Sequence, residues 1–211
     1  VYKRIFDDKN NFVCDYFIFN DKTEDIQSLE KEKYKATHDR LTGLYNKDQF
    51  YVETYKILHR NADVPYCMLC SNIRDFKFVN ELFGIEKGNE ILLKQADIIK
   101  KHAVDGYLYG RVGEDHFVVI ADEDTFNEEY LYECRETLQN VLSDSVYNVR
   151  VCFGIYRTDN MNESLSFMCD KDSFAVASIK DDTHSFIAYY DDTMLEAAIK
   201  YKTIVDEFDD A

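Results

Sequence analysis

Tyr107–Ala121 reads Y-L-Y-G-R-V-G-E-D-H-F-V-V-I-A. Two apolar, β-rich runs flank the polar segment Gly113-Glu114-Asp115, the pattern of a β-hairpin. Gly113 is expected to supply a positive φ at the turn. A carboxylate at such a tip is presented outward, where a metal or a phosphate could meet it. Gly-Glu-Asp is equally an ordinary turn sequence, so this stretch by itself leaves site and turn both open.

The composition narrows the choices. The chain has 211 residues, 45% hydrophobic and 15% aromatic, enough for one sizeable core plus accessory segments. Its net charge is −16 and its pI about 4.7. Such a surface repels nucleic-acid backbones and anionic membranes. A nucleotide could bind if divalent metal offset the charge. Six cysteines stand at 14, 67, 70, 134, 152 and 169. Cys67-Met-Leu-Cys70 has a zinc-like spacing, but three residues apart on a strand the two thiols face opposite ways. They read as core thiols in a reduced, cytoplasmic setting. No signal peptide and no bilayer-spanning apolar run is visible. A chain beginning with Val reads as a piece of something longer.

Residues 1–20 alternate as two strands and a turn, too few to bury a core of their own. Thr23 is a candidate N-cap for a polar helix to about Thr37, with Ile26, Leu29 and Ala36 spaced as a short coiled-coil seam or as a solvated connector. Thr42-Gly43 breaks the helical pattern, a helix follows from about Lys47 to Arg60, and Asn61 to Pro65 is a turn. Tyr66–Ile73 is a continuous apolar run ending in Ser71 and Asn72. It reads as a central strand buried on both faces, whose end is well placed for ligand work. Helices are expected over Glu90–Ala103, Thr125–Leu142 and residues 162–180, strands over Asn148–Tyr156 and Ser185–Tyr190, and a last amphipathic helix over Asp192–Phe208. From residue 47 the order is α-β-α-α-β-β-α-β-α-β, an α/β sandwich with one mixed sheet covered by helices.

Three ordered blocks carry a family resemblance. Asp39-Arg40-Leu41-Thr42-Gly43-Leu44-Tyr45-Asn46 matches the opening D-x-L-T-G-L-x-N of the GGDEF family. Asn72–Asn89 resembles its second block, D-I-D-x-F-K-x-x-N-D-x-x-G-x-x-x-G-D, with several departures. Arg111–Phe117, R-V-G-E-D-H-F, stands where the signature R-Y-G-G-D-E-F belongs, and Cys169–Lys180 is similar to the family's late helix with its phosphate-contacting lysine. The resemblance implies a palm-like, ferredoxin- and nucleotide-cyclase-type fold. The implied reaction makes cyclic di-GMP from two GTP across a homodimer. The flanks divide the chain further. Residues 1–20 resemble the last hairpin of a PAS domain, 21–37 a connector (signalling) helix, 38–191 the GGDEF-like domain, and 192–211 the linker into an EAL phosphodiesterase domain.

The same resemblance assigns candidate roles. Phosphoryl transfer of this type is mostly positioning and metal-assisted charge stabilisation. Magnesium would be held at Asn72, the Ile73 carbonyl and Asp115, but Asn72 replaces a carboxylate, so metal binding is expected to be weak or absent. Glu114 replaces the second signature glycine, which lets backbone approach phosphates closely. At roughly 5 Å and an effective dielectric of about 20, each like-charge pair with a phosphate costs on the order of 3 kcal/mol. A metal could instead recruit Glu114 as a replacement carboxylate. His116 replaces the glutamate that activates the attacking hydroxyl or supports the metal; a histidine can act as a base but is a poor magnesium ligand. Substrate contacts are implied at Leu44, Phe76, Lys77, Asn80, Gly113 and Lys180. Asn89 replaces an Asp that reads guanine, and is equally a good helix N-cap. The family's product-inhibition motif R-x-x-D would fall at Val104–Tyr107 and is absent. The departures favour a degenerate, catalytically inactive module that senses GTP or dimerises; the alternatives are a working diguanylate cyclase and a nucleotide-independent scaffold.

Overall fold

In the computed structural model, described here for residues 2–17, 23–60, 64–103, 106–142, 145–158, 163–179, 182, 184–197 and 199–200, the chain divides into two units, Val1–Ala36 and Thr37–Ala211. In the first, alternation produces an antiparallel pair, β1 (Tyr2–Phe6) and β2 (Phe12–Phe17), followed by α1 (Thr23–Thr37). Tyr2, Ile5, Phe6, Phe12, Val13 and Phe17 remain exposed, as expected of a two-stranded ribbon that cannot enclose a core. Thr23 is the first residue of α1 rather than the residue before it. Ile26 and Leu29 are exposed, which suits both the seam and the solvated connector.

The second unit carries β3 (Tyr45–Asn46), α2 (Lys47–Arg60), β4 (Tyr66–Ile73), α3 (Phe76–Phe83), α4 (Ile85–His102), β5 (Leu108–Arg111), β6 (Phe117–Asp122), α5 (Glu129–Asn140), β7 (Val151–Thr158), α6 (Leu165–Ser178) and β8 (Ile187–Tyr189). The expected order is present from α2 onward, with the two-residue β3 added. The sheet runs β3-β5-β6-β4-β7-β8, parallel at its two outer pairings and antiparallel within, so it is mixed. Residues 192–197 are helical, and the rest of the expected last helix from residue 201 lies outside the described residues.

β4 is the middle of the sheet because its residues are apolar on both faces. Cys67, Leu69 and Ile73 join one buried cluster with Ile91, Leu92, Ala96 and Ile99 of α4 and Leu131, Cys134 and Leu138 of α5. Tyr66, Met68 and Cys70 join the other with Phe50 and Leu58 of α2 and Met168 of α6. The two thiols therefore lie on opposite sides of the sheet, as their odd spacing requires. The result is a three-layer sandwich.

Two close approaches fix the layers. A Cβ on Gly154 in β7 would stand 2.0 Å from the Asp172 carbonyl oxygen and 2.9 Å from the Val176 amide nitrogen, so only glycine lets α6 lie against the sheet there. Gly84 (φ 85°) joins α3 to α4, and a Cβ on Gly88 would stand 2.0 Å from Asn80 Oδ1. Helix α4 begins five residues earlier than its apolar stripe predicts. Asn89 therefore lies inside it, and Gly84 takes the N-cap position instead.

Candidate functional site

The D-x-L-T-G-L block folds as a tight turn. Asp39 Oδ1 accepts bonds from the Thr42 amide (2.8 Å) and hydroxyl (2.6 Å), and Gly43 (φ 70°) lets the chain reverse. Arg111, at the end of β5, donates to the same Asp39 oxygen at 3.0 Å. Its Nε and Nη2 donate to the Glu114 carbonyl, at 3.1 and 2.5 Å. One guanidinium thus ties the first block to the hairpin loop. Burial works against the Asp39 charge, but the Thr42 bonds and Arg111 outweigh it and hold the carboxyl below its ordinary range. Lys100 Nζ caps the turn from α4 by donating to the Thr42 carbonyl at 2.6 Å.

The hairpin loop differs from expectation in two ways. Gly113 does not take a positive φ; the positive-φ glycines among the described residues are Gly43, Gly84 and Gly106. The loop is held by the Arg111 bonds and by the Val112 amide donating to the His116 carbonyl at 3.0 Å. Gly113 serves close approach instead, since a Cβ there would stand 2.9 Å from His116 Nδ1. The two carboxylates of the tip also separate. Glu114 is exposed, whereas Asp115 turns inward at 9% exposure, its Oδ2 accepting the Ile73 amide N–H at 3.0 Å. Burial raises the Asp115 pKa, with His116 and the Ile73 amide acting in opposition.

At the end of β4, Asn72 Nδ2 lies 2.5 Å from His116 Nε2. The amide and the ring nitrogen are placed to share one hydrogen bond. The two residues that depart from the family's carboxylates therefore bond to each other. A cavity of about 390 Å³ opens beside them, lined by Asn72, Ile73, Phe76, Lys77, Glu114, Asp115 and His116 from the predicted set. Arg74 and Asp75 complete the turn between β4 and α3, where Asp75 adopts a left-handed conformation (φ 54°, ψ 34°). Sequence reading missed the far wall, made by Ser173, Val176 and Ala177 of α6. Their i, i+3, i+4 spacing was the available signal.

Other predicted contacts fall elsewhere. Leu44 is fully buried in the α4–α5 side of the core and does not line the cavity. Asn80 and Asn89 are half-buried on α3 and α4, with Asn80 packed on Gly88. Lys77 is freely exposed, its Nζ 3.9 Å from Glu81. Lys180 lies outside the described residues, as does part of the Val104–Tyr107 stretch.

A mixed sheet with helices on both faces carries a loop with R-x-G-x-D between β5 and β6, beside a cavity at the end of β4. The family profile described as "Diguanylate cyclase, GGDEF domain" matches residues 36–182, and the chain belongs to the GGDEF family. Over 105 residues it is 34% identical to the diguanylate cyclase DgcM of Escherichia coli strain K12, a match covering 49% of this chain and 26% of that protein. The probable diguanylate cyclase DgcT of the same strain is 30% identical over 122 residues, 57% of this chain and 27% of that one. The matches thus span about a quarter of these curated relatives' lengths. The coiled coil and GGDEF domain of DgcB from Caulobacter crescentus superimposes with a TM-score of 0.68 at 19% identity, covering 80% of this chain and 93% of that one. The active GGEEF domain of a Vibrio cholerae diguanylate cyclase gives 0.56 at 18% identity, covering 69% and 97%.

Magnesium prefers an octahedron of hard oxygen donors. Asp115 brings a carboxylate, one oxygen of which already accepts the Ile73 amide, and Asn72 offers only an uncharged amide oxygen where the pattern has a carboxylate. This donor set does not fit the magnesium site that the family pattern implies. Among the described residues, no helix is long and apolar enough to cross a membrane.

Proposed function

We propose that this domain has lost useful cyclase turnover and acts in cyclic di-GMP signalling as a GTP-sensing or dimerising regulatory module. The carrying observation is the Asn72–His116 bond. Where the family pattern has two metal- and base-type carboxylates, this chain has an amide and an imidazole hydrogen-bonded to each other. Loss of a general base alone lowers a rate by about 10²–10⁴, and loss of a metal carboxylate adds to it. Glu114, exposed at the cavity mouth, would repel the phosphates of any nucleotide. Phe76 and Lys77 line the cavity and keep the family's residue types, which supports a surviving, weakened GTP pocket. A homodimer formed through the connector helix, with a PAS-like segment before and an EAL-type domain after, belongs to the same proposal.

The test pairs binding with turnover. GTP is titrated calorimetrically with and without magnesium, and cyclic di-GMP formation is followed by chromatography. Expected are GTP-selective heat with little dependence on magnesium and no product. The combined variant Asn72→Asp, Glu114→Gly, His116→Glu is expected to gain at least about 10²-fold in magnesium-dependent turnover. Robust turnover by the unmodified protein would sink the proposal. No heat with any nucleotide at millimolar concentration would leave the scaffold reading in its place.

A further inference from the structure

Beside the candidate site lies a second pocket, of about 440 Å³, between the turn after β4, the start of β7, α5 and the residues Asp182, His184, Ser185 and Phe186. Its lining reverses the charge of the molecule. In a chain of net charge −16, three arginines, Arg74, Arg135 and Arg150, meet here with His184, against the carboxylates of Asp75 and Asp182. The Asp182 carboxylate is already engaged, accepting the Ser185 hydroxyl (2.5 Å) and the His184 amide (2.8 Å), and Arg74 reaches its backbone carbonyl instead, at 3.5 Å.

The arginines are crowded by the fold. Ile73 pairs with Val151 across β4 and β7, and the next residues outward are Arg74 and Arg150, joined by the Arg74 amide donating to the Arg150 carbonyl at 2.7 Å. Like charges directly opposite in a ladder are destabilising. All three arginines are half-buried, and neither Arg135 nor Arg150 forms an ion pair among the described residues. Arg135 instead lies over the Phe186 ring, 4.3 Å from its centre. Arg74 stands where the family pattern has an acid. Planar guanidiniums converging on one cavity suit phosphate oxygens, and Tyr147 and Phe186 supply flat apolar walls.

We propose that this pocket, built on Arg74, Arg135 and Arg150, binds a phosphorylated small molecule carrying at least two negative charges. It shares Arg74, Asp75 and Cys152 with the candidate site cavity, so an occupant bears directly on the turn that carries Asn72 and Phe76. The proposal does not depend on GTP binding next door.

The test is calorimetric titration of inorganic pyrophosphate, without metal, into the whole chain at about 150 mM salt, where loose surface attraction is screened. Submillimolar binding is expected, weakened about ten-fold or more by Arg150→Gln and by Arg135→Gln, each removing a charge-assisted contact. Arg74→Asp, which restores the family's acid at a turn position, is expected to abolish it and serves if a glutamine variant folds poorly. Lys56→Gln, on the exposed face of α2 and in neither cavity, should leave pyrophosphate binding unchanged. A nucleoside diphosphate binding more tightly than pyrophosphate would give the aromatic walls a role; equal affinities would assign the site to free phosphates. No heat at about 10 mM pyrophosphate, or loss of binding with Lys56→Gln but not with the arginine variants, would overturn the proposal.

Discussion

Gly154→Ala tests the contact that sets the depth of the candidate site. The added Cβ would lie 2.0 Å from the Asp172 carbonyl oxygen and 2.9 Å from both the Val176 amide nitrogen and a Val176 methyl. Ordinary contact begins near 3.4 Å, so α6 must retreat from β7 by about 1.4 Å. The obstacle is helix backbone rather than the far end of a side chain, so rotamer changes cannot relieve it. Overpacking of this sort costs about 1–3 kcal/mol, and the fixed backbone puts this case at the upper end, about 3 kcal/mol. For a unit of this size that is a fall in Tm of roughly 6–12 °C. The same retreat moves Ser173, Val176 and Ala177, the far wall of the cavity, so nucleotide binding should weaken along with stability. Thermal and urea unfolding, followed by calorimetry on the folded variant, reads both effects. A Tm within about 2 °C of the parent would refute the reasoning, because it would mean that α6 crosses the sheet with slack.

Further outcomes follow from particular side chains. Asp172 is fully buried with Oδ2 unpartnered, and burial raises its pKa well above the ordinary value. The native state therefore keeps a proton the unfolded chain loses, and stability should fall as pH rises from about 4 toward the folded value, by up to about 1.4 kcal/mol per pH unit. Asp172→Asn should flatten that slope in urea midpoints measured from pH 5 to 8; an unchanged slope would contradict the assignment. Asp39 behaves oppositely, since its pKa is lowered, and its contribution is present above about pH 4 and lost as pH falls through the folded value. Arg111→Ala should cost about 2 kcal/mol by releasing both Asp39 and the Glu114 carbonyl, with equal stability in parent and variant excluding the tie between the two blocks. Gly88→Ala forces the Asn80 carboxamide aside, and because that side chain can rotate, the expected effect is weaker GTP binding with a stability loss of only about 1 kcal/mol.

The order of elements was legible from periodicity alone, because β4 is apolar on both faces and the later helices carry clear stripes. Boundaries were less so. The strand read as Asn148–Tyr156 is β7, Val151–Thr158, since the residues before Val151 alternate in character without a partner strand to pair with. Helix α4 took in Gly88 and Asn89 because close packing on Asn80 tolerates a glycine that propensity disfavours. The family blocks were legible too, being local runs of residues with fixed spacing.

What only the tertiary structure decided is which of those residues meet. Sequence named Asn72 and His116 as separate departures, 44 positions apart; pairing β4 with β6 made them hydrogen-bonded neighbours. It also buried Leu44, turned Asp115 inward away from Glu114, and gathered Arg74, Arg135 and Arg150 from three distant segments. Local pattern determines backbone conformation because its causes lie within a few residues of each other. Charge, burial and hydrogen bonding at a site are set by residues brought together through the sheet, and no spacing along the chain encodes those distances.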